Sequence, residues 1–250
     1  MKRLAIPFIL IVLYFSCGNK KTQASEGVLP PVVTHEVLHN ASAATVWVND
    51  KDSRLSLVIG ADNDAEGALY AYNLKGGIEK KSAIFNFPSN PVVLKGLAVQ
   101  GRTTDAVIIA EAFTKKVRVL SLPGFEPLDN GGIPVLDEQD IAVAGDISVW
   151  TRPSDKAVFV TVANTQAGKD CLYQYRLLAN ARGASLCFVR KFGAADGEGV
   201  QSMTVNAASG YLYCGDAMGI KQYVLDPALE KKDAISVFNC SPAENLVVHA

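Results

Sequence analysis

Three acidic residues at alternate positions are the first candidates for chemistry in this sequence. Asp62, Asp64 and Glu66 follow the apolar segment Leu55–Gly60 and lie in one polar turn. Hard cations such as Ca²⁺ bind carboxylate oxygens, and alternate positions of a turn can direct several of them toward one ion. The pattern predicts a cation site; the alternative interpretation is a solvated surface turn.

Few other patterns in the sequence are typical of catalysis or metal binding. There is no P-loop, no Rossmann fingerprint and no recognisable Ser/His/Asp nucleophile arrangement. Cys171, Cys187, Cys214 and Cys240 lie in apolar, strand-like contexts without a CxxC pair or a neighbouring histidine, so a zinc site has weak support. These cysteines are interpreted either as disulfide partners, in one of three pairings, or as small buried apolar residues.

The N-terminus predicts export. A basic start precedes an apolar run, Leu4 to Phe15, and Ser16-Cys17 follows it. The run is too short to span a bilayer comfortably, and a cysteine after a small residue resembles the bacterial lipoprotein signal. We therefore expect residues 1–16 to be a signal peptide and Cys17 to be lipidated, which would anchor the protein in a membrane on the periplasmic side or at the cell surface. Plain secretion is the alternative. Residues 17–33 are interpreted as a tether.

Length and charge place limits on the remaining chain. The sequence has 250 residues, 49% of them hydrophobic, and a formal charge of −1. This is enough apolar material for one sizeable core. A nucleic-acid partner would need a basic face, and the charge balance gives no support for one.

Residues 34–250 repeat a unit of three to four short strands about every 50 residues. Opening strands fall at positions 46, 97, 147 and 203, and closing strands at 69, 117, 172 and 220. Such repetition predicts an all-β fold, a β-propeller of four-stranded blades, with four blades and a possible fifth that opens at Ala234–Asn239. A β-sandwich is the alternative, but it does not predict regular spacing. Trp47 and Trp150 are interpreted as core residues of the blades.

Phrases within these units resemble the β-propeller phytases (3-phytases), which are calcium-dependent enzymes that hydrolyse phosphate from inositol hexakisphosphate. The ordered matches cover residues 34 to about 232. The most specific are Asp129-Asn130-Gly131-Gly132-Ile133-Pro134-Val135 and Val189-Arg190-Lys191-Phe192-Gly193, with others at Val46–Val48, Gly67–Leu74, Arg152–Asp155, Leu172–Tyr175 and Gly210–Tyr213. The family fold has six blades, so the resemblance implies a propeller incomplete at its C-terminus. It also implies calcium as cofactor and an inositol phosphate or another phosphoester as substrate.

The resemblance implies roles for three further residues. Glu111 and Asp216 match metal-binding positions, with ordinary strand-end acids as the alternative. Arg190 matches a substrate-binding position, with a salt bridge at the surface or between blades as the alternative.

Several other ligand positions of the family hold different residues in this sequence. Ser42 and Ala43 stand where the family carries paired aspartates, Ala112 replaces an arginine, and Gln201 replaces a glutamate. Each missing group removes stabilisation from the same charged transition state. The sequence therefore leaves two functions: a calcium-dependent phosphatase, or a non-catalytic, surface-anchored propeller that binds a ligand or a protein partner. The substitutions favour the second.

Overall fold

Short antiparallel strands follow one another in four groups of four. The computed structural model describes residues 32–137, 143–197, 199–229 and 233–239. Blade 1 contains β1 (Ala41–Trp47), β2 (Leu57–Asp62), β3 (Ala68–Tyr72) and β4 (Ile78–Lys81). Blade 2 contains β5 (Val92–Val99), β6 (Arg102–Glu111), β7 (Lys116–Ser121) and β8 (Ile133–Pro134). Blade 3 contains β9 (Ala144–Thr151), β10 (Val158–Asn164), β11 (Gly168–Asn180) and β12 (Gly183–Ala195). Blade 4 contains β13 (Ser202–Asn206), β14 (Tyr211–Asp216), β15 (Gly219–Val224) and β16 (Ile235–Asn239), and short 3₁₀ turns occur at Ser53–Leu55 and Pro227–Leu229.

The strand order within every sheet is the order of the sequence, and the four sheets form a four-bladed β-propeller. This confirms the all-β propeller of four-stranded blades predicted from the 50-residue repeat. The prediction of a possible fifth blade was wrong. The segment Ala234–Asn239 was expected to open a fifth blade, but β16 pairs with β15, with Phe238 opposite Ile220, and is the outermost strand of blade 4.

The second and third strands of the blades carry nearly continuous apolar runs, as expected for strands that are covered on both faces. In β6, every residue from Ala106 to Ala110 is fully buried, and all five residues of β3 are buried. The outermost strand β4, in contrast, is exposed along its whole length. This contrast explains why the middle strands of a blade gave the clearest signal in the sequence.

Adjacent blades pack face to face through separate apolar clusters. Strand β1 contacts β5, strands β5 and β6 contact β9, and β9 contacts β13. Trp47 belongs to the cluster between blades 1 and 2, and Trp150 to the cluster between blades 3 and 4. Both tryptophans are buried, which confirms their interpretation as core residues. The Trp47 indole N–H also donates to Oδ2 of Asp105 at 2.7 Å.

Three of the predicted disulfide candidates are free cysteines. Cys171 and Cys214 are buried in the cluster between blades 3 and 4, whereas Cys187 is exposed. Of the two interpretations left open by the sequence, disulfide partner does not hold for these three residues, and small buried apolar residue is confirmed for Cys171 and Cys214. Cys240 lies outside the described residues.

The N-terminal predictions also fall outside the part of the chain that the structure describes. The signal peptide 1–16, the lipidation site Cys17 and all but the last two residues of the tether precede Val32. Within the described ranges, no helix is long and apolar enough to cross a membrane.

One end of the propeller gathers two sets of loops. Because each blade is a meander, the first strand begins at the same end where the second strand finishes. The loops entering the blades and the turns between their second and third strands therefore meet there. We call this end the mouth.

Candidate functional site

The mouth contains a cleft to which all four blades contribute polar side chains. Its volume is about 410 Å³, and small-molecule sites commonly range from roughly 300 to 1,000 Å³. Asn63 comes from the turn of blade 1, and Ser89 and Asn90 from the loop entering blade 2. Asp146 comes from strand β9, Thr165 from the turn of blade 3, and Gln201 from the loop entering blade 4.

Asp146 supplies a buried carboxylate to this cleft. The residue is 7% exposed, and its carboxylate accepts hydrogen bonds from the backbone N–H groups of Ile147 at 2.9 Å and Met203 at 2.7 Å, and from the Asn90 side chain. Burial raises the pKa of Asp146 to about 6, although the three donors oppose the increase. A titratable group displaced toward neutrality inside a cleft is typical of functional sites.

The sequence contained an unused signal for Asp146. Asp146 lies four residues before Trp150, and Ala43 lies four residues before Trp47. Both pairs occupy the first strand of a blade, so Asp146 holds in blade 3 the position that Ala43 holds in blade 1. Sequence reasoning noted the missing carboxylate in blade 1 and overlooked the one present in blade 3.

Three of the predicted metal-binding residues share one structural position, the last residue of a second strand. In blade 1, Asp62 accepts from the backbone N–H of Asn40 at 2.6 Å and lies 3.0 Å from Nδ1 of His39. In blade 2, Glu111 accepts from the backbone N–H of Asn86 at 3.1 Å. Both carboxylates thus fix the loop that enters their own blade.

Asp216 repeats this arrangement in blade 4. It accepts from the backbone N–H of Asp196 at 3.2 Å and from that of Met218 at 2.8 Å, and Nζ of Lys221 lies 2.7 Å away. Burial acts to raise the pKa of Asp216, but Lys221 and the two backbone donors outweigh it and hold that pKa below its ordinary value. In blade 3 the same position holds Asn164, whose side chain accepts from its own turn.

Arg118 neutralises the acid of blade 2. Its guanidinium donates to Oε1 of Glu111 at 3.1 Å and to Oδ2 of the buried Asp129 at 2.7 Å. Glu111 therefore belongs to an ion-pair network inside the blade.

Asp64 and Glu66 remain on the surface of their turn. The Asp64 carboxylate accepts from the backbone N–H of Glu66 at 3.2 Å, and the Asp64 carbonyl accepts from that of Gly67 at 3.0 Å. Glu66 is exposed. Within the described ranges, the structure brings together no group of three or more His, Cys, Asp or Glu side chains that could hold a metal ion.

Arg190 does not line the mouth cleft. Its Nε donates to Oε1 of Gln174 at 2.8 Å, and its Nη2 donates to the carbonyl of Val224 at 2.7 Å. The guanidinium also lies over the Phe192 ring, 4.5 Å from its centroid, and burial lowers the pKa of Arg190. These contacts join blade 3 to blade 4.

An aromatic pair borders the polar cleft, and sequence reasoning missed it. The rings of Phe87 and Phe113 meet edge to face with centroids 5.1 Å apart. Phe113 lies in the turn of blade 2 and is 62% exposed, and Phe87 lies in the loop entering that blade. Both rings line the cleft.

A larger cleft of about 930 Å³ lies at the opposite end of the propeller, beside blade 1. Its apolar lining includes the exposed side chains of Leu55 and Leu74. We regard the mouth as the better candidate because polar groups from four blades converge there around a buried carboxylate.

Fold and site together define a four-bladed β-propeller with a polar cleft at its mouth. A scan against protein-family models and a search of the curated proteins both found no match to this chain.

Proposed function

We propose that this protein is a non-catalytic β-propeller that binds a small, uncharged ligand at its mouth. The observation that carries the proposal is the convergence of hydrogen-bonding side chains from all four blades on one cleft. Most of these groups are held by the protein: Asn63 Nδ2 donates to the Pro88 carbonyl at 3.0 Å, and Thr165 Oγ1 accepts from the backbone N–H of Val143 at 3.3 Å. Groups held in place lose little conformational entropy when a ligand binds.

The charge of the cleft supports an uncharged ligand. Among the described residues that line it, none is lysine or arginine, and Asp146 is the one acid. A polyanion such as inositol hexakisphosphate would lose its hydration there without a cation to replace the water.

The resemblance to β-propeller phytases supports the competing function, calcium-dependent hydrolysis of an inositol phosphate or another phosphoester. Under that alternative, calcium would bind Asp62, Asp64, Glu66, Glu111 and Asp216. Four of these acids, Asp62, Asp64, Glu111 and Asp216, already accept hydrogen bonds from backbone N–H groups, and those contacts would compete with calcium for the carboxylate oxygens.

The proposed setting is a membrane, on its periplasmic side or at the cell surface, with plain secretion as the alternative. The lipoprotein-like signal supports export and attachment through Cys17. Membrane fractionation of cells that express the full chain or its Cys17→Ser variant tests this part, and an unchanged membrane fraction in the variant would contradict it.

Phosphate release separates the two functions. The purified mature protein is incubated with inositol hexakisphosphate in calcium and, separately, in a calcium chelator. We expect no phosphate release in either, and calcium-dependent release would refute the proposal.

Thermal shift measurements then test binding at the mouth with a panel of neutral sugars, polyols and nucleosides. A stabilising compound should lose its effect in Gln201→Ala. It should keep its effect in Gln222→Ala, a matched change in β15 outside the cleft. If the compound loses its stabilising effect equally in both variants, it does not bind at the mouth.

A further inference from the structure

The exposed ring at the mouth points to the chemical class of the ligand. A phenylalanine that is 62% exposed, as Phe113 is, leaves a large apolar surface in water, and such surfaces commonly mark binding sites when they lie beside polar groups. Its edge-to-face contact with Phe87 supports one side of the ring and leaves much of the remaining surface accessible.

The backbone of Phe87 is strained. Its φ is 45°, in the left-handed region that a bulky side chain rarely adopts. Neighbouring loops hold this conformation: the Phe87 N–H donates to the Asp64 carbonyl at 2.7 Å, and the Phe87 carbonyl accepts from the N–H of Ala112 at 3.3 Å. Strained residues of this kind cluster at ligand sites, where the surrounding structure fixes their geometry.

Amide groups complete the site. Asn63 uses one N–H for the Pro88 carbonyl and keeps its Oδ1 as an acceptor, and the Gln201 side chain is exposed in the same cleft. Asp146 adds carboxylate oxygens at the cleft wall. As far as the described residues show, the site combines an apolar ring surface with several donors and acceptors and contains no lysine or arginine.

We propose that the mouth binds a neutral saccharide through one pyranose ring. A pyranose has an apolar face of C–H groups and a rim of hydroxyl groups that both donate and accept hydrogen bonds. The C–H face would lie on Phe113, and the hydroxyls would meet Asn63 and Gln201. This inference rests on the proposed ligand-binding function and adds the class of ligand.

A pyranose ring could come from a free sugar or from a polysaccharide, and the two sources are tested separately. Saturation-transfer difference NMR of the mature full-length chain uses a mixture of methyl glucopyranoside, methyl galactopyranoside, methyl mannopyranoside and N-acetylglucosamine as free sugars. Affinity gel electrophoresis uses neutral polysaccharides built from the same rings. We expect the strongest transfer to the ring protons of one sugar face.

Variants of Phe113 test whether saccharide binding depends on its aromatic ring. Phe113→Ala should weaken binding about tenfold, whereas Phe113→Trp should retain it. The matched control is Phe188→Ala, because Phe188 is 52% exposed and also meets another ring, that of Tyr175, edge to face. Thermal melting of each variant verifies that it folds.

The outcomes separate this inference from the proposed function. If no saccharide binds, or if Phe113→Ala binds as well as the wild type, the saccharide inference is overturned. The proposed function survives either result when another neutral compound stabilises the protein through Gln201. Binding of adenosine that depends on Phe113 would overturn the saccharide assignment in favour of a planar aromatic ligand. Calcium-dependent phosphate release would overturn the proposed function itself.

Discussion

Replacing Asp146 by Asn should remove a specific part of the pH dependence of stability. In the folded protein the pKa of Asp146 is about 6, above the ordinary 3.8 of an aspartate. The folded state therefore holds the proton more tightly than the unfolded state does. The resulting stabilisation is complete below about pH 3.8 and is lost as the pH rises through about 6.

The size of the effect follows from the pKa difference. A difference of about 2 pKa units, at about 1.36 kcal/mol per unit, corresponds to about 3 kcal/mol over the whole range. Roughly 2 kcal/mol of this falls between about pH 4.5 and about pH 7.5. Other carboxylates act in the opposite direction: the pKa of Asp216 is lowered, so its contribution is lost as the pH falls.

A comparison with the variant isolates the contribution of Asp146. Urea unfolding is measured for the wild type and Asp146→Asn at several pH values in this range. As the pH rises from about 4.5 to about 7.5, the free energy of unfolding of the wild type should fall by about 2 kcal/mol more than that of the variant. Asp233→Asn, at an exposed position, controls for the loss of one negative charge. Parallel curves for the wild type and Asp146→Asn would refute the reasoning that burial raises this pKa.

Further predictions concern two buried polar contacts and the accessibility of the cysteines. Arg118→Met should destabilise the fold by about 3–5 kcal/mol, because the buried carboxylates of Glu111 and Asp129 lose their cation; urea unfolding measures the loss, and a value below about 1 kcal/mol would contradict the assigned ion pairs. Trp47→Phe keeps the apolar contact but loses the indole N–H, and should cost about 1–2 kcal/mol in the same assay, whereas no loss would argue against that hydrogen bond. Iodoacetamide should modify Cys187 in the native protein and the other two described cysteines only in urea, as peptide mapping can determine. Equal modification rates would contradict their burial.

The repeat in the sequence predicted the blades because their middle strands have a strong physical signature. Strands covered on both faces need continuous apolar residues, and β6 and β10 provide them. Outer strands carry a weaker signal, since β4 is exposed throughout and β8 has two residues. An outer strand such as β16 therefore cannot be distinguished by pattern from the first strand of another blade.

The candidate site was less predictable because its contacts join distant parts of the chain. Asp62 meets His39, which lies 23 residues before it in the sequence, and Asp146 meets Met203, which lies 57 residues after it. The alternate spacing of Asp62, Asp64 and Glu66 could not show that Asp62 would accept a hydrogen bond from the loop entering blade 1. The exposure of Phe113 could not be predicted either, because the sequence around a single phenylalanine in a turn does not indicate whether its ring is buried or exposed.

The hydrogen bonds at the ends of the second strands hold the loops at the mouth through their main chain. In blades 1, 2 and 4 the acceptor is a side chain of the blade, and the donor is a main-chain N–H of the incoming loop, at Asn40, Asn86 and Asp196. Every residue except proline supplies such an N–H. The loop side chains can therefore be exchanged while these hydrogen bonds persist. The blades provide a fixed frame on which loops of different sequence could be grafted to bind different ligands.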